Sequence, residues 1–118
     1  MEFQIVETED KARGKLYHID VSGRKIDLMM TWHALERMKV WNLDINQVLL
    51  ALLDPEEVIA GHHGRHIAHR RYGRHILRAV YEHIGLPIVI TVYFPSAERY
   101  FKGGGKYADK IKAKVRNG

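Results

Sequence analysis

Within the first thirty residues, two short segments alternate apolar and polar side chains, a pattern typical of β-strands. The alternation predicts short strands over residues 3–7 and 15–21. Ser22-Gly23 then supplies a two-residue turn, and residues 24–30 follow as the partner strand. The sequence therefore predicts an amino-terminal β-hairpin.

From Thr31 the apolar positions change to a helical period. Thr31 is a suitable N-cap for a helix that runs to about Trp41. Stepping 100° per residue places four apolar residues on one side of this helix: Ala34, Leu35, Met38 and Trp41. His33 and Arg37 lie together on another side, one turn apart.

A second helix is predicted from Asp44, which forms a capping box with Gln47 three residues later. Its apolar residues follow the spacing of a helix with one buried face: Ile45, Val48, Leu49 and Leu52. Asp54-Pro55 ends it, because the residue before a proline disfavours helical backbone angles.

Three strand-like runs follow, over residues 58–72, 74–83 and 88–94, and the first is broken at Gly61 and Gly64. Turns are expected at Gly73 and at residues 85–87. The order predicts an α+β domain in which two helices pack on a four-stranded antiparallel sheet. An amino-terminal β-hairpin and a basic carboxyl-terminal tail complete it. We expect one domain over residues 1–102, then a glycine hinge and the tail over 103–118.

The last two strands also predict which face of the sheet is buried. Alternate residues share a face, so one register gives an apolar set: Leu77, Ala79, Tyr81, Ile88, Ile90, Val92 and Phe94. The alternative register would bury Arg78 and Glu82 among the isoleucines, at a cost in desolvation. The first register leaves Arg78, Thr91 and Tyr93 close together on the opposite face, with Val89.

Composition limits the class of protein. The 118 residues are 46% hydrophobic and 28% charged, which is typical of one globular domain. The absence of cysteine excludes disulfides and thiolate chemistry and fits a reducing cytosol. The amino terminus is acidic and no apolar run reaches membrane-spanning length. We therefore expect a cytoplasmic protein that does not bind a membrane.

Charge is distributed unevenly along the chain. Residues 1–60 contain 7 Lys/Arg and 11 Asp/Glu, a net of −4, whereas residues 61–118 contain 12 Lys/Arg and 3 Asp/Glu, a net of +9. Six of the eight histidines fall between His62 and His83. Clustered positive charge predicts a polyanionic partner, and RNA is the one we favour.

Five residues form a candidate catalytic set for metal-independent cleavage of a phosphodiester: His33, Arg37, Arg78, Thr91 and Tyr93. A histidine transfers protons near neutral pH, and arginines bind a phosphate and stabilise its developing charge. The 2′-hydroxyl of RNA supplies the nucleophile. His69 or Arg71, from the neighbouring strand, is expected beside this set.

Six residues are expected to bind nucleic acid: His69, Arg70, Arg71, Arg74, Lys102 and Lys106. A metal site built from His62, His63, His66 and His69 is disfavoured by the arginines around it, and its spacing matches no zinc motif. The run Gly103-Gly104-Gly105-Lys106 lacks the remaining residues of a phosphate-binding loop. We therefore expect neither a metal nor a cofactor.

Several segments resemble domain-of-unknown-function family 4258, over about residues 28–95. The resemblance is carried by residues 31–38 (TWHALERM), 45–59, 77–81 and 89–93 (VITVY), of which His-x-x-x-Arg and Thr-x-Tyr are the most distinctive. That family resembles the barnase–EndoU–colicin–RelE class of ribonucleases, whose members are often encoded beside a small antitoxin protein. The resemblance implies a helix pair before a four-stranded antiparallel sheet. It also implies that His33 and Arg37 are site residues on the helix, and Thr91 and Tyr93 on a strand.

The sequence thus predicts a toxin-like, metal-independent endoribonuclease from a toxin–antitoxin pair. The amino-terminal hairpin lies outside the resemblance, and it either packs on the sheet edge or holds a partner. Two other interpretations use the same basic surface. One is a noncatalytic nucleic-acid-binding module, and the other is an interaction domain that binds an acidic partner protein.

Overall fold

A computed structural model describes residues 1–99, which form one mixed sheet of seven strands and two α-helices. The strand order across the sheet is β1-β2-β3-β7-β6-β5-β4. Along the chain the elements are β1 (Gln4–Asp10), β2 (Gly14–Val21), β3 (Arg24–Thr31), α1 (Trp32–Val40), α2 (Ile45–Leu53), β4 (Glu57–Ala60), β5 (His66–Tyr72), β6 (His75–Ile84) and β7 (Leu86–Tyr93).

The amino-terminal strands form an antiparallel meander, β1-β2-β3. Val21 pairs with Arg24 across the predicted turn, and Ser22 and Gly23 both have positive φ. Positive φ at both central residues matches the right-handed twist of the flanking strands. The predicted hairpin is confirmed, and β1 adds a third strand.

Both helices begin at the predicted caps. The backbone N–H of Ala34 donates to the Thr31 hydroxyl at 3.1 Å, and the backbone N–H of Asp44 donates to the Gln47 side-chain oxygen at 2.9 Å. Ala34 and Met38 are the buried residues of α1, and Val48, Leu49 and Ala51 are those of α2. The helical period therefore identified the buried side of each helix.

The second half of the chain forms an antiparallel meander, β4-β5-β6-β7. A 3₁₀ turn over His62–Gly64 separates β4 from β5, where the glycines interrupt the run. After β7 the chain turns back beside the start of β6. There the backbone N–H of Ile76 donates to the Pro95 carbonyl at 3.0 Å. Ala97 then packs against Ile76.

The predicted four-stranded antiparallel sheet is wrong, although the α+β class is right. The two meanders are halves of one sheet, joined where β3 and β7 run parallel, with Met29 opposite Ile88 and Met30 opposite Val89. The Thr31 hydroxyl also donates to the Ile90 carbonyl, 59 residues away, at 3.1 Å. Turn residues reveal only the pairing of neighbouring strands, so no local signal predicted this junction.

The prediction of which β7 residues face the core is also corrected. Between β6 and β7, Val80 pairs with Thr91 but Tyr81 pairs with Val89, so Ile90 is an extra residue in a bulge of β7. A bulge inverts the alternation of side chains beyond it. Val89 therefore joins the core with Val92, whereas Ile88 lies beside Glu82 on the opposite face.

The main core lies between the helices and one face of the sheet. Along each strand, buried residues of this core alternate with residues that point away from the helices. The buried strand residues are Tyr17, Ile19, Leu28, Met30, Ala68, Leu77, Ala79, Val89 and Val92. We call the opposite surface of the sheet, on which neither α1 nor α2 packs, the helix-free face. The predicted hinge and tail at 103–118 lie outside the described residues. Within residues 1–99 neither helix is long and apolar enough to cross a membrane.

Candidate functional site

Four polar residues lie side by side across the second meander on the helix-free face. Glu57 pairs with His69, His69 pairs with Arg78, and Arg78 pairs with Tyr93. Each residue comes from a different strand, so the set runs across β4, β5, β6 and β7. We call Glu57, His69, Arg78 and Tyr93 the polar row.

The row is buried at its centre and open at one end. His69 is 1% exposed and Arg78 is 8% exposed, whereas Tyr93 is 41% exposed. Thr91, on the same face of β7, is half-buried. Arginine is seldom fully buried unless it is paired, so the burial of Arg78 beside His69 distinguishes this row from the rest of the sheet.

Apolar side chains flank the row on both sides. Ile59, Ile67 and Val80 pair with one another in the next row of the same face, which ends at Thr91. Ile76 lies on the other side of Arg78 and is fully buried. Such surroundings lower the local dielectric constant and strengthen each electrostatic interaction within the row.

Glu57 and His69 form a close pair at the β4 end of the row. One Glu57 carboxylate oxygen (Oε2) lies 4.0 Å from Nδ1 of His69, and the Glu57 side chain is 16% exposed. This distance is longer than a hydrogen bond, so the carboxylate and the imidazole are neighbours within the row. The row therefore combines a carboxylate, an imidazole, a guanidinium and a phenol, the groups used in proton transfer and anion binding.

The predicted catalytic residues fall on two sides of the sheet. His33 is exposed and Arg37 is half-buried on α1, which packs into the core through Ala34 and Met38. Arg78 alternates with Leu77 and Ala79, which belong to that core. Arg78, Thr91 and Tyr93 therefore gather on the helix-free face, and the sheet lies between them and the helix layer of His33 and Arg37.

The residues predicted to bind nucleic acid are also divided. A guanidinium nitrogen of Arg70 donates to the Asp54 carbonyl at 2.6 Å at the end of α2, on the helix side. His69 and Arg71 alternate with it and belong to the helix-free face, and Arg74 is exposed in the turn before β6. Lys102 and Lys106 lie outside the described residues.

Glu57 was missed by the sequence analysis, although a signal for it exists. The turn between β4 and β5 is centred on His63, the middle residue of the 3₁₀ turn. Counting outward by equal steps pairs Ala60 with His66 and Glu57 with His69, as observed. A register assigned from this turn would have placed a carboxylate beside the histidine.

A second polar network crosses the first meander. The ring nitrogens of His18 contact Glu9 at 2.5 Å and Asp27 at 2.7 Å, on the two neighbouring strands. These hydrogen bonds, first to Glu9 and then to Asp27, raise the pKa of His18 above its ordinary value. The hydrogen bond to His18 likewise lowers the pKa of Glu9. Both ring nitrogens are engaged, so this network ties strands together.

Across residues 1–99 no group of three or more histidine and acidic side chains has an arrangement that could hold a metal ion.

Comparison of the chain with models of protein families, with curated proteins and with solved structures finds no match.

Proposed function

We propose that this protein is a metal-independent endoribonuclease whose site is the polar row. The observation that carries the proposal is the alignment of His69 and Arg78 on paired strands, with Glu57 and Tyr93 at either end. Buried ionisable groups that lie together are candidates for a functional site. The net charge of +9 over residues 61–118 adds an attraction for RNA.

The row contains the groups that the reaction needs. His69 transfers the proton as the 2′-oxygen of RNA forms a bond to phosphorus and the bond from phosphorus to the 5′-oxygen breaks. The proton lost by the 2′-hydroxyl ends on the departing 5′-oxygen, and the products are a 2′,3′-cyclic phosphate and a 5′-hydroxyl. Arg78 stabilises the negative charge on the phosphate, and Tyr93 and Thr91 orient it at the exposed end.

This proposal moves the proton-transferring role from His33 to His69. His69 lies beside Arg78 in one pairing register, whereas His33 belongs to the helix layer on the other side of the sheet. The resemblance to family 4258 favours His33 and Arg37, and it stays a prediction because no family model matches the chain. The two histidines can be separated by experiment.

The test is cleavage of a fluorescent single-stranded RNA by the full-length protein in the presence of EDTA. We expect His69→Gln to slow cleavage by about two to four powers of ten while RNA affinity remains. His83→Ala, an exposed histidine of β6, is the matched control, and circular dichroism checks that each variant folds. Loss of cleavage in His33→Ala, with His69→Gln unaffected, would assign the site to α1 instead.

A noncatalytic nucleic-acid-binding module is the second candidate function. The observation that favours it is the near-complete burial of His69, which separates the imidazole from solvent. The same assay distinguishes the two, because a binding module retains RNA without producing a cyclic phosphate. Failure to bind RNA or DNA would favour an acidic protein partner, such as a small antitoxin.

A further inference from the structure

We propose that the carboxyl-terminal segment of this chain, residues 100–118, docks on the helix-free face of the second meander and covers the polar row. The segment lies outside the described residues, and its docking surface is inferred from the burial of side chains within residues 1–99. The inference goes beyond the proposed function, because it makes the row a surface for which RNA must compete with the chain itself.

The edge strand β4 is buried on the side that neither α1 nor α2 covers. Ile59 faces the helix-free side and is 2% exposed, whereas Val58, which pairs with the core residue Ala68, is 38% exposed. An antiparallel sheet that is packed on one face leaves its other face in solvent, so the opposite order is expected. The burial of Ile59 therefore requires a cover on the helix-free face.

The first meander provides a comparison on the same face. Strands β2 and β5 each lie one strand in from an edge of the sheet, and each carries an apolar residue and a histidine on the helix-free side. Leu16 and His18 of β2 are only half-buried, whereas Ile67 and His69 of β5 are 5% and 1% exposed. Flanking strands alone therefore do not bury this face, and the cover lies over the second meander.

The described part of the chain ends beside this surface. Ala97 packs against Ile76, which lies on the helix-free side of β6. From Ile76, Ile59 is two strands across and four residues along the sheet, roughly 16 Å at ordinary strand spacing and rise. The nineteen residues that follow Arg99 exceed this distance even as a helix, at about 1.5 Å per residue. The path from Ile76 to Ile59 crosses the polar row.

The sequence of the segment suits an apolar surface. Tyr107, Ile111 and Val115 recur at intervals of four residues, which would place them on one side of a helix. Six Lys/Arg and one Asp leave the rest of the segment polar. An amphipathic segment buries its apolar side against other apolar groups, and the isoleucines of β4 and β5 provide them within the same chain.

Photo-cross-linking in the full-length protein tests the docking directly. We expect the photoreactive residue p-benzoylphenylalanine, in place of Ile111, to cross-link within the same chain to β4, β5 or β6, as mapped by mass spectrometry. The same residue in place of Lys112, on another side of the predicted helix, is the matched control and should cross-link to these strands less. Cross-links to the first meander or to a second molecule, or none to β4–β6, would overturn the proposal.

The reactivity of a single thiol tests the cover from the other side, since the chain contains no cysteine. Ile67→Cys in the full-length protein should react slowly with a maleimide. Adding Ile111→Asp and Val115→Asp should speed the reaction about tenfold or more, because the segment no longer holds its apolar contacts. Lys112→Ala with Arg116→Ala changes the net charge by the same amount and should leave the thiol protected.

Ala79→Cys, which faces the core from β6, should stay protected in both backgrounds and so report that the domain remains folded. A thiol at position 67 that stays equally protected in both backgrounds would overturn the cover. If the proposed function holds, the double aspartate variant should cleave RNA about tenfold faster than the double alanine variant, because more molecules have an uncovered row. A thiol that becomes reactive while no variant cleaves RNA would refute the ribonuclease and support the cover.

Discussion

At the residue scale, Gly14 leaves the least room for a side chain among the glycines that the structure describes. It is the first residue of β2, pairs with Thr31, and lies where β3 ends and α1 begins. A methyl group added to its Cα would lie 2.7 Å from Cα of Thr31 and would clash with the Met30 carbonyl oxygen. Both neighbours are backbone atoms of a paired strand, so they cannot rotate away.

We therefore expect Gly14→Ala to destabilise the protein by about 3 kcal/mol or more, because β2 must separate from β3 at the helix N-cap. Gly23→Ala is the matched control. That glycine has φ +86° but open space around it, so the cost is backbone strain of about 1 kcal/mol. Urea unfolding of both variants measures the difference. Equal losses would show that β2 adjusts freely at Gly14.

Side-chain placement was predictable wherever a strand kept its alternation. Arg78, Thr91 and Tyr93 were expected together on an open face. The structure places them together on the helix-free face, but Arg78 is buried there and only Tyr93 is exposed. Val89 and Ile88 were exchanged because a bulge at Ile90 leaves no mark in the alternation of the sequence. Glu57 was not predicted as a site residue because its pairing with His69 is set by the turn centred on His63. His63 has a positive φ of 60°, which the presence of a histidine does not predict.

At the scale of elements, the attachment of β1 to the sheet is strengthened by a side-chain contact across strands. It is an edge strand with one neighbour, and His18 links it through β2 to Asp27 of β3. The link is strongest when His18 is protonated and Glu9 is ionised, because each then carries the charge that the other attracts. Stability of this edge should therefore depend on pH.

We expect His18 to stabilise the fold most below its ordinary pKa of 6.5 and to lose this effect as pH rises through its raised pKa. Glu9, with a lowered pKa, contributes above its ordinary value of 4.5 and loses its contribution as pH falls further. The difference in melting temperature between the parent and His18→Gln should thus be largest in weakly acidic buffer. His62→Gln, an exposed histidine, is the control. A difference that grows toward alkaline pH would contradict the mechanism.

Elements were predictable from the sequence, but their assembly was not. Periodicity and caps identified both helices and the carboxyl-terminal strands, because those signals lie within a few residues of each other. The parallel contact of β3 with β7 joins Met30 to Val89 and depends on packing against α1, which a local pattern does not encode. A hairpin beside a separate four-stranded sheet was expected, whereas the structure has one continuous sheet.

For the whole molecule, if the proposed function holds, the charge distribution governs the encounter with RNA. The first 60 residues carry a net of −4 and the remainder +9, so an approaching polyanion is attracted to the second part of the chain and repelled by the first. The encounter should be electrostatic, since neutralising phosphates releases bound counterions.

We expect affinity for single-stranded RNA to fall about fiftyfold between about 50 and about 200 mM salt, the value for roughly four phosphate contacts. Fluorescence anisotropy with His69→Gln, which should bind without cutting, measures it. Sucrose at matched osmolarity controls for effects that do not involve ions. An affinity independent of salt would refute the electrostatic account.

Within residues 1–99 the last strand is β7, and it is also the strand that joins the two halves of the sheet. During synthesis the amino-terminal meander and both helices leave the ribosome before the strand on which α1 packs exists. Until Tyr93 emerges, β3 and β6 both expose an unpaired edge, and such edges promote association between chains. The central contacts of the sheet therefore form only after Tyr93 has emerged, later than every other described strand and both helices.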